Sequence, residues 1–509
     1  MRRLFNNTVF TSLDYGTLIL LNLIATPLLI SNFGTAGYGA FVFLSIFSVY
    51  GALAVFDLGM EGALMNYVAR FEATDKKDQI QDAFTLSCLF YGAIGVVLGW
   101  AVWFGTDLLA GRLLKDSTSL DYNQLTTAVL LVAVNVAVQF MGVPSTALLQ
   151  GLRRFQVTKG VSVILNIARY SLVVSVALIF QRIDYAFAVV LGLSVLRLVV
   201  LTSCLVLRAE SFRGYSVRLD TSLFRILLNY SSILFITRII GLIHNQIDKL
   251  LIWYYLTATV MTVYDVIARP AMLLRVITSI VVSAVIPETA RLHELGEQGQ
   301  LDRMFRGLIR YSYLITLPLL AFIGPHISTL IGLWVGRDFR SDAPLSLILL
   351  AGFIVLPLPS IANTMMVGLE KVRQTIWIPI TATSLNLVLS IMLLKSMGLA
   401  GLLVATLVSQ VFGVVPYAVV SRKYLGTNLV PLARELSPTF LLAGLIGVVN
   451  WLLVGFAPFE MTTWLIVSVM LLSVNYLLNW RFLLSPEERS FIIRQLRFDR
   501  RAPGQATGL

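Results

Sequence analysis

The sequence is poor in charge. Of its 509 residues, 13% are charged and 57% hydrophobic, whereas a soluble domain carries about 25% charged residues. That balance excludes a soluble globular enzyme and indicates a polytopic membrane protein. Cysteine is scarce as well. Cys88 and Cys204 both fall in apolar runs, which argues against a disulfide framework and against any zinc-ligand spacing. No GxxxxGK[ST] run occurs, so this chain is not expected to use ATP itself. Nor is there a large outward polar loop. The longest, about 107–123, has no carboxylate pair of the kind that membrane glycosyltransferase or polymerase chemistry requires.

Long apolar runs are plentiful. Fourteen of them reach the roughly 20 residues that a membrane span needs, from 9–31 and 38–60 at the start to 461–480 at the end. The first is too long for a signal-peptide core and has no small-residue cleavage site, so it is expected to remain as a span. With the N-terminus placed in the cytoplasm, inside segments hold 26 of the 39 Lys and Arg residues and outside segments hold six. Positive charge collects on the cytoplasmic side, so this bias supports both the span count and cytoplasmic termini. It also accounts for the net charge of +12 without nucleic acid as a partner.

Two short matches divide the chain. ARFEATDKKDQIQDAF (69–84) aligns without a gap on ARLHELGEQGQLDRMF (290–305), and QGLRRF (150–155) aligns on VGLEKV (367–372). The offsets, 221 and 217, are similar, and each pair follows the same span of its half. The expected architecture is all-α, with about 14 transmembrane helices. A six-helix lobe over 1–207 is joined by a cytoplasmic linker, 208–226, to a second six-helix lobe over 227–421. Two additional helices occupy 422–481, and 482–509 is a cytoplasmic tail. Within that tail SPEERSFIIRQL (485–496) has a Ser-Pro-Glu helix start and alternating basic and apolar residues, the pattern of a short amphipathic helix on the membrane surface. Paired halves place a substrate site at their interface near the midplane.

The stretch TRIIGLIHNQIDKLLIWYYL (237–256) puts Arg238, His244, Asn245, Asp248 and Lys249 into a membrane-buried helix. At 100° per residue its apolar residues gather on one arc and its charges on the rest. Such a helix needs water, partner charges or a substrate on its polar side. Asp248 is within one turn of His244, and Asp265 within one turn of Arg269; Lys249 also suits an acid on a neighbouring span. The deep basic residues are Arg169, Arg197, Arg238, Lys249, Arg269 and Arg275, against the acids Asp14, Asp57, Asp248 and Asp265. This excess predicts a water-filled cavity that receives an anion. Arginine suits phosphate, because its fork donates paired bonds and does not deprotonate. Each buried arginine taken alone is equally well read as a structural partner of a carbonyl or carboxylate. Asp57 and Glu61, four apart, read as a polar helix end at the membrane surface.

GTAGYGAF (34–41) followed by FDLGMEGAL (56–64), then IDKLLIWYYL (247–256) with Tyr264 and IPETARL (286–292), and finally GLAGLLVATLVSQ (398–410) after Asn386 resemble the polysaccharide-transporter family of the multidrug/oligosaccharidyl-lipid/polysaccharide exporter superfamily. The resemblance implies a bacterial inner-membrane flippase. It implies two helical bundles in a V around a central cavity, and transport of an undecaprenyl-diphosphate-linked oligosaccharide to the periplasmic leaflet for O-antigen, capsule or exopolysaccharide synthesis. On that expectation Arg238 and Arg269, helped by Arg169 or Arg197 and less directly by Arg275, hold the diphosphate. Asn245, Gln246, Gln139 and Asn135 meet the sugar, or else form interhelical bonds. Asp248, Asp265, His244 and Asp14 are candidates for H+ or Na+ coupling, with no other cofactor. Pro27 and Pro270 are candidate bending points. Membrane lipids are partners, and a glycosyltransferase or polymerase is a further one. The rivals are a cation-coupled multidrug exporter, which should have an acidic or aromatic cavity, a membrane glycosyltransferase or polymerase, and a channel.

Overall fold

A computed structural model of the chain describes residues 2–114, 121–208, 212, 221–282, 285–456, 461–483 and 489. Within these, the side chains of 2–15, 114, 208, 221, 232–234, 236–238, 240–245, 276–282, 287, 454–456, 461–465 and 482–483 lie outside the description. The expected tail helix at 485–496 and most of the 208–226 linker fall outside the described residues. Among the described residues the chain is helical, with no β-strand. Nine helices among the described residues are long and apolar enough to cross a membrane, or ten if one pair bent by 48° counts as a single span. This is a multi-pass membrane protein.

The helices group into two compact units. The first comprises Met1–Val266 with Thr383–Ala405, and the second comprises Ile267–Ala382 with Thr406–Leu509. The first holds α1 (Arg2–Ser45), α2 (Met60–Ala73), α3 (Lys77–Phe104), α4 (Thr106–Leu114), α5 (Tyr122–Gly151), α6 (Phe155–Phe180), α7 (Ile183–Arg208), α8 (Thr221–Tyr255) and the start of α9 (Ala258–Val282). Here α5 is central and packs on α3, α7 and α2, while α1 packs on α6. Small residues allow this. A β-carbon on Gly99 would lie 2.9 Å from the Ala133 carbonyl oxygen of α5, and such small-residue seams replace the hydrophobic drive that lipid cannot supply. Helix α8 joins this unit by packing on α2 and on the turn at 52–57.

The second unit holds the rest of α9, then α10 (Val285–Glu294), α11 (Gln298–Trp334), α12 (Ser346–Val355), α13 (Pro357–Gly368), α14 (Val372–Thr375), α17 (Leu429–Phe456) and α18 (Met461–Leu478). Helices α15 (Trp377–Met397) and α16 (Leu399–Leu425) are divided between the units. Its core runs along α11. Phe305, Ile309, Tyr313 and Leu317, four apart, pack with Ile361 and Met365 of α13 and Leu432 and Leu436 of α17.

The two sequence matches recur as matched turns. Asp75 and Gly296, aligned at the 221 offset, both adopt positive φ (52° and 68°). In each the following amide reaches back five residues, Lys76 to the Phe71 carbonyl and Glu297 to the Leu292 carbonyl. Arg153 and Glu370, aligned at the 217 offset, have φ of 58° and 57°, with Arg154 bonded to the Leu149 carbonyl and Lys371 to that of Met366. These are left-handed helix ends of the kind glycine favours. A left-handed non-glycine residue costs about 1–2 kcal/mol. Glu370→Gly is therefore expected to raise stability by roughly 1 kcal/mol, read as a higher midpoint in thermal unfolding of the purified protein; an unchanged or lower midpoint would contradict the strain.

The expected second span, 38–60, is corrected. Helix α1 is two helical stretches that meet at a kink at Gly34 (φ 72°, ψ 171°); Pro27 stays within the first of them. It then stops at Ser45. The chain turns over residues 46–51, forms a short 3-10 helix, Ala52–Asp57, and starts α2 at Met60. The turn is tight: a β-carbon on Gly51 would lie 2.1 Å from the Ile46 carbonyl oxygen. Asp57 is corrected too. It is 1% exposed and accepts bonds from the Tyr91 hydroxyl and, at 3.1 Å, from the Glu61 amide. From two residues before the Gly59 cap it binds the second amide of α2, as a side-chain acceptor at a helix start does, and it does so buried in the protein rather than facing solvent.

Candidate functional site

Non-helical backbone at membrane depth persists only where it is buried in protein or lines a cavity. The interrupted segment does the latter. Ser48, Val49 and Tyr50 form one wall of a cavity of about 730 Å3 inside the first unit, whose other walls come from α5, α6, α7, Leu18 of α1 and Glu61 of α2.

Helix α6 supplies a polar stripe. Lys159, Ser162, Asn166 and Arg169 all line the cavity, and their spacing of three, four and three residues puts them on one face. The stripe rises about 15 Å, from the α5–α6 turn to mid-helix. Gln139, Thr146 and Gln150 of α5 and Ser194 and Arg197 of α7 line the same cavity. The Arg197 guanidinium carbon lies 5.9 Å from the centre of the Tyr50 ring, at the limit of a cation–π contact. Gln139 has a committed oxygen, which accepts the Val49 amide at 3.1 Å and fixes the interrupted segment against α5.

Lys159, Arg169 and Arg197 are cations, and Glu61 is the one carboxylate among the described lining residues. The cavity is formally positive. With hydroxyls and amides interleaved, such a surface binds an anion and hydrogen-bonds hydroxyl groups.

Of the sequence-derived candidates, Arg169, Arg197 and Gln139 meet in this cavity. Asn135 lies one turn from Gln139, is 5% exposed, and stands apart from the lining, with its buried amide oxygen lacking a hydrogen-bond partner. Gln246 of α8 likewise has a buried oxygen without one. The Tyr264 hydroxyl donates to Asp248 at 3.1 Å. Asp265 accepts a bond from the Tyr38 hydroxyl at 2.8 Å and lies 4.0 Å from the Lys249 ammonium, the neighbouring-span acid expected for Lys249. Arg269 is half-buried and Arg275 exposed, both on the part of α9 that belongs to the second unit. The side chains of Arg238, His244, Asn245 and Asp14 lie outside the described residues. The second unit has an apolar hollow between α11 and α17, lined by Tyr313, Ala433, Leu436, Ser437, Phe440 and Leu441, without a charged residue.

Sequence reasoning missed Lys159, Ser162 and Asn166 as site residues. The signal was present, because polar residues at helical spacing through an apolar run mark a lined face.

The multi-pass helical fold has solved counterparts. It superposes on an inward closed structure of the lipid II flippase MurJ with a TM-score of 0.71 at 14% identity, covering 96% of this chain and 100% of that one. It also matches an inward-facing multidrug resistance MATE family transporter of the MOP superfamily, with a TM-score of 0.67 at 14% identity over 84% and 99%. Residues 30–344, more than half of the chain, match the polysaccharide biosynthesis protein family. The chain belongs to that family. It is also 25% identical over 196 residues to the probable low-salt glycan biosynthesis flippase Agl15 of Haloferax volcanii, a match spanning 38% of this chain and 41% of that relative. These relatives are flippases and transporters rather than catalysts.

Proposed function

We propose that the protein is a flippase that carries a lipid-diphosphate-linked oligosaccharide from the cytoplasmic to the outer leaflet of a bacterial inner membrane by alternating access, for assembly of a surface polysaccharide. The observation that carries the reading is the concentration of Lys159, Arg169 and Arg197 in one cavity beside an interrupted span. Broken helices build substrate sites in transporters. Arg169 and Arg197 hold the diphosphate, and Arg238, Arg269 and Arg275 are further contacts along its route. Gln139 and Asn166, with Asn245 and Gln246, bond the sugar, and Asn135, apart from the lining, is left out of that set. The isoprenoid tail stays in lipid, and a glycosyltransferase or polymerase acts before or after the transfer.

Reconstitution in vesicles with a fluorescent short-chain polyprenyl-diphosphate oligosaccharide tests this. Protein-dependent loss of inner-leaflet label is expected. Absence of transfer, together with export of organic cations, would favour the multidrug exporter that the MATE-like fold also fits.

Transport against a gradient needs an energy source, and the one proposed is an ion gradient. Asp265, held by Tyr38 and facing Lys249, is the proposed H+ or Na+ site, with Asp248, His244 and Asp14 as additional groups. Asp265→Asn is expected to leave downhill exchange within about twofold and to remove stimulation by an imposed ion gradient. Gradient-driven transfer that persists in the variant would exclude Asp265 from coupling.

A further inference from the structure

The carboxylate of Glu61 is out of keeping with a cavity built for an anion. It sits in the first turn of α2, its backbone amide held by Asp57 at 3.1 Å, and its side chain lines the same space as Lys159, Arg169 and Arg197. A group that repels the ligand weakens binding, so its presence calls for a function.

We propose that Glu61 sets the charge-number selectivity of this cavity, tuning it to a dianion. Among the described lining residues, three cations and one carboxylate leave a formal charge of two positive. A diphosphate esterified at both ends, by a lipid and by a sugar, is a dianion at neutral pH and balances that charge. A lipid monophosphate esterified to a sugar is a monoanion and leaves one positive charge uncompensated. A diphosphate with a free end approaches a trianion and overshoots. Inside a membrane, away from bulk water and salt, unbalanced charge is costly, so mismatch by one charge lowers affinity by roughly tenfold or more. Whatever cation the Glu61 carboxylate meets in the empty cavity, its charge remains in the total. The proposal rests on the head-group reading above and adds to it the residue by which the cavity tells a doubly esterified diphosphate from a monophosphate-linked sugar and from a free-ended lipid diphosphate. The last of these is what remains on the lipid after the sugar has been transferred away, so the same charge count would let the protein ignore the spent carrier.

The test is binding to the purified full chain at neutral pH, with three probes that share a farnesyl tail: the phosphate-linked hexosamine, the diphosphate-linked hexosamine and farnesyl diphosphate. The wild type is expected to bind the diphosphate-linked sugar about tenfold more tightly than either of the others. Glu61→Gln should move the optimum to farnesyl diphosphate, and Lys159→Gln should move it to the phosphate-linked sugar. The double variant Glu61→Gln/Lys159→Gln restores the formal charge and should restore the wild-type order. Retention of that order in Glu61→Gln, or failure of the double variant to restore it, would overturn the role of Glu61 while leaving the anion site standing. Failure of the wild type to bind any of the three would instead overturn the head-group reading. Should Glu61→Gln not fold, as judged by gel filtration, Lys159→Gln and the charge-conserving Glu61→Asp carry the decision: the first must shift the optimum downward and the second must leave it in place.

Discussion

The double substitution Arg169→Ala/Arg197→Ala is expected to abolish transfer of a lipid-diphosphate oligosaccharide in reconstituted vesicles, a loss of at least about a hundredfold. Both guanidinium groups line one cavity, from different helices. A hydrogen bond to a charged group contributes about 1.5–3 kcal/mol, so two lost contacts reach or exceed that factor. Arg169→Lys/Arg197→Lys keeps the charge but loses the planar fork, and should retain an intermediate rate, roughly tenfold below wild type. The comparison separates charge from geometry. Equal loss in the two variants would point to bidentate phosphate recognition as the whole effect. A near-normal rate in the alanine pair would remove this cavity from the transport path.

The second large effect is expected at Gly39. A β-carbon there would lie 1.8 Å from the Ala258 carbonyl oxygen and 2.6 Å from its carbon, so the obstruction is backbone and cannot rotate away. The neighbouring residues show why this approach is close. The Thr262 hydroxyl donates to the Thr35 carbonyl at 2.5 Å, and the Tyr38 hydroxyl donates to Asp265 at 2.8 Å. The last turns of α1 are thus fixed against the first turns of α9. Gly39→Val must open this seam and strain both bonds. Overpacking costs about 1–3 kcal/mol and more when backbone must move, and the top of that range is expected here. Thermal unfolding should show a large fall in the midpoint, with Gly39→Ala in between. A valine variant as stable as wild type would mean that the seam is not held this closely.

How much of this was legible in the residues differs from one feature to the next. The class of protein followed from composition, because no soluble fold tolerates so many long apolar runs. The repeat was legible in a few residues, and the matched left-handed turns at Asp75 and Gly296 and at Arg153 and Glu370 explain why these stretches align: backbone geometry there limits what can follow. Arg169 and Arg197 stood out as guanidinium groups deep in apolar helices. Lys159 did not, because a lysine within five residues of a helix start reads as a cytoplasmic anchor until its stripe with Ser162, Asn166 and Arg169 is traced. Asp57 was misread for a similar reason, since hydropathy does not distinguish a buried cap from a surface end. The interruption at 46–51 was hidden inside a continuous apolar run. Gly51, Asp57 and Gly59 were its only marks, and each is tolerated singly in a membrane helix.

That interruption has a mechanical consequence. A continuous helix transmits twist and thrust along its ladder of amide bonds, but here the ladder is cut between Ser45 and Met60. The Gln139 bond to the Val49 amide is a side-chain strut bracing the gap, and a single neutral bond of this kind contributes only about 1 kcal/mol. The segment between α1 and α2 is thus held by separate bonds, this strut and the bond from the Ala52 amide to the Ile46 carbonyl among them, so the portion of the wall carrying Tyr50 is less stiff than an unbroken helix would be.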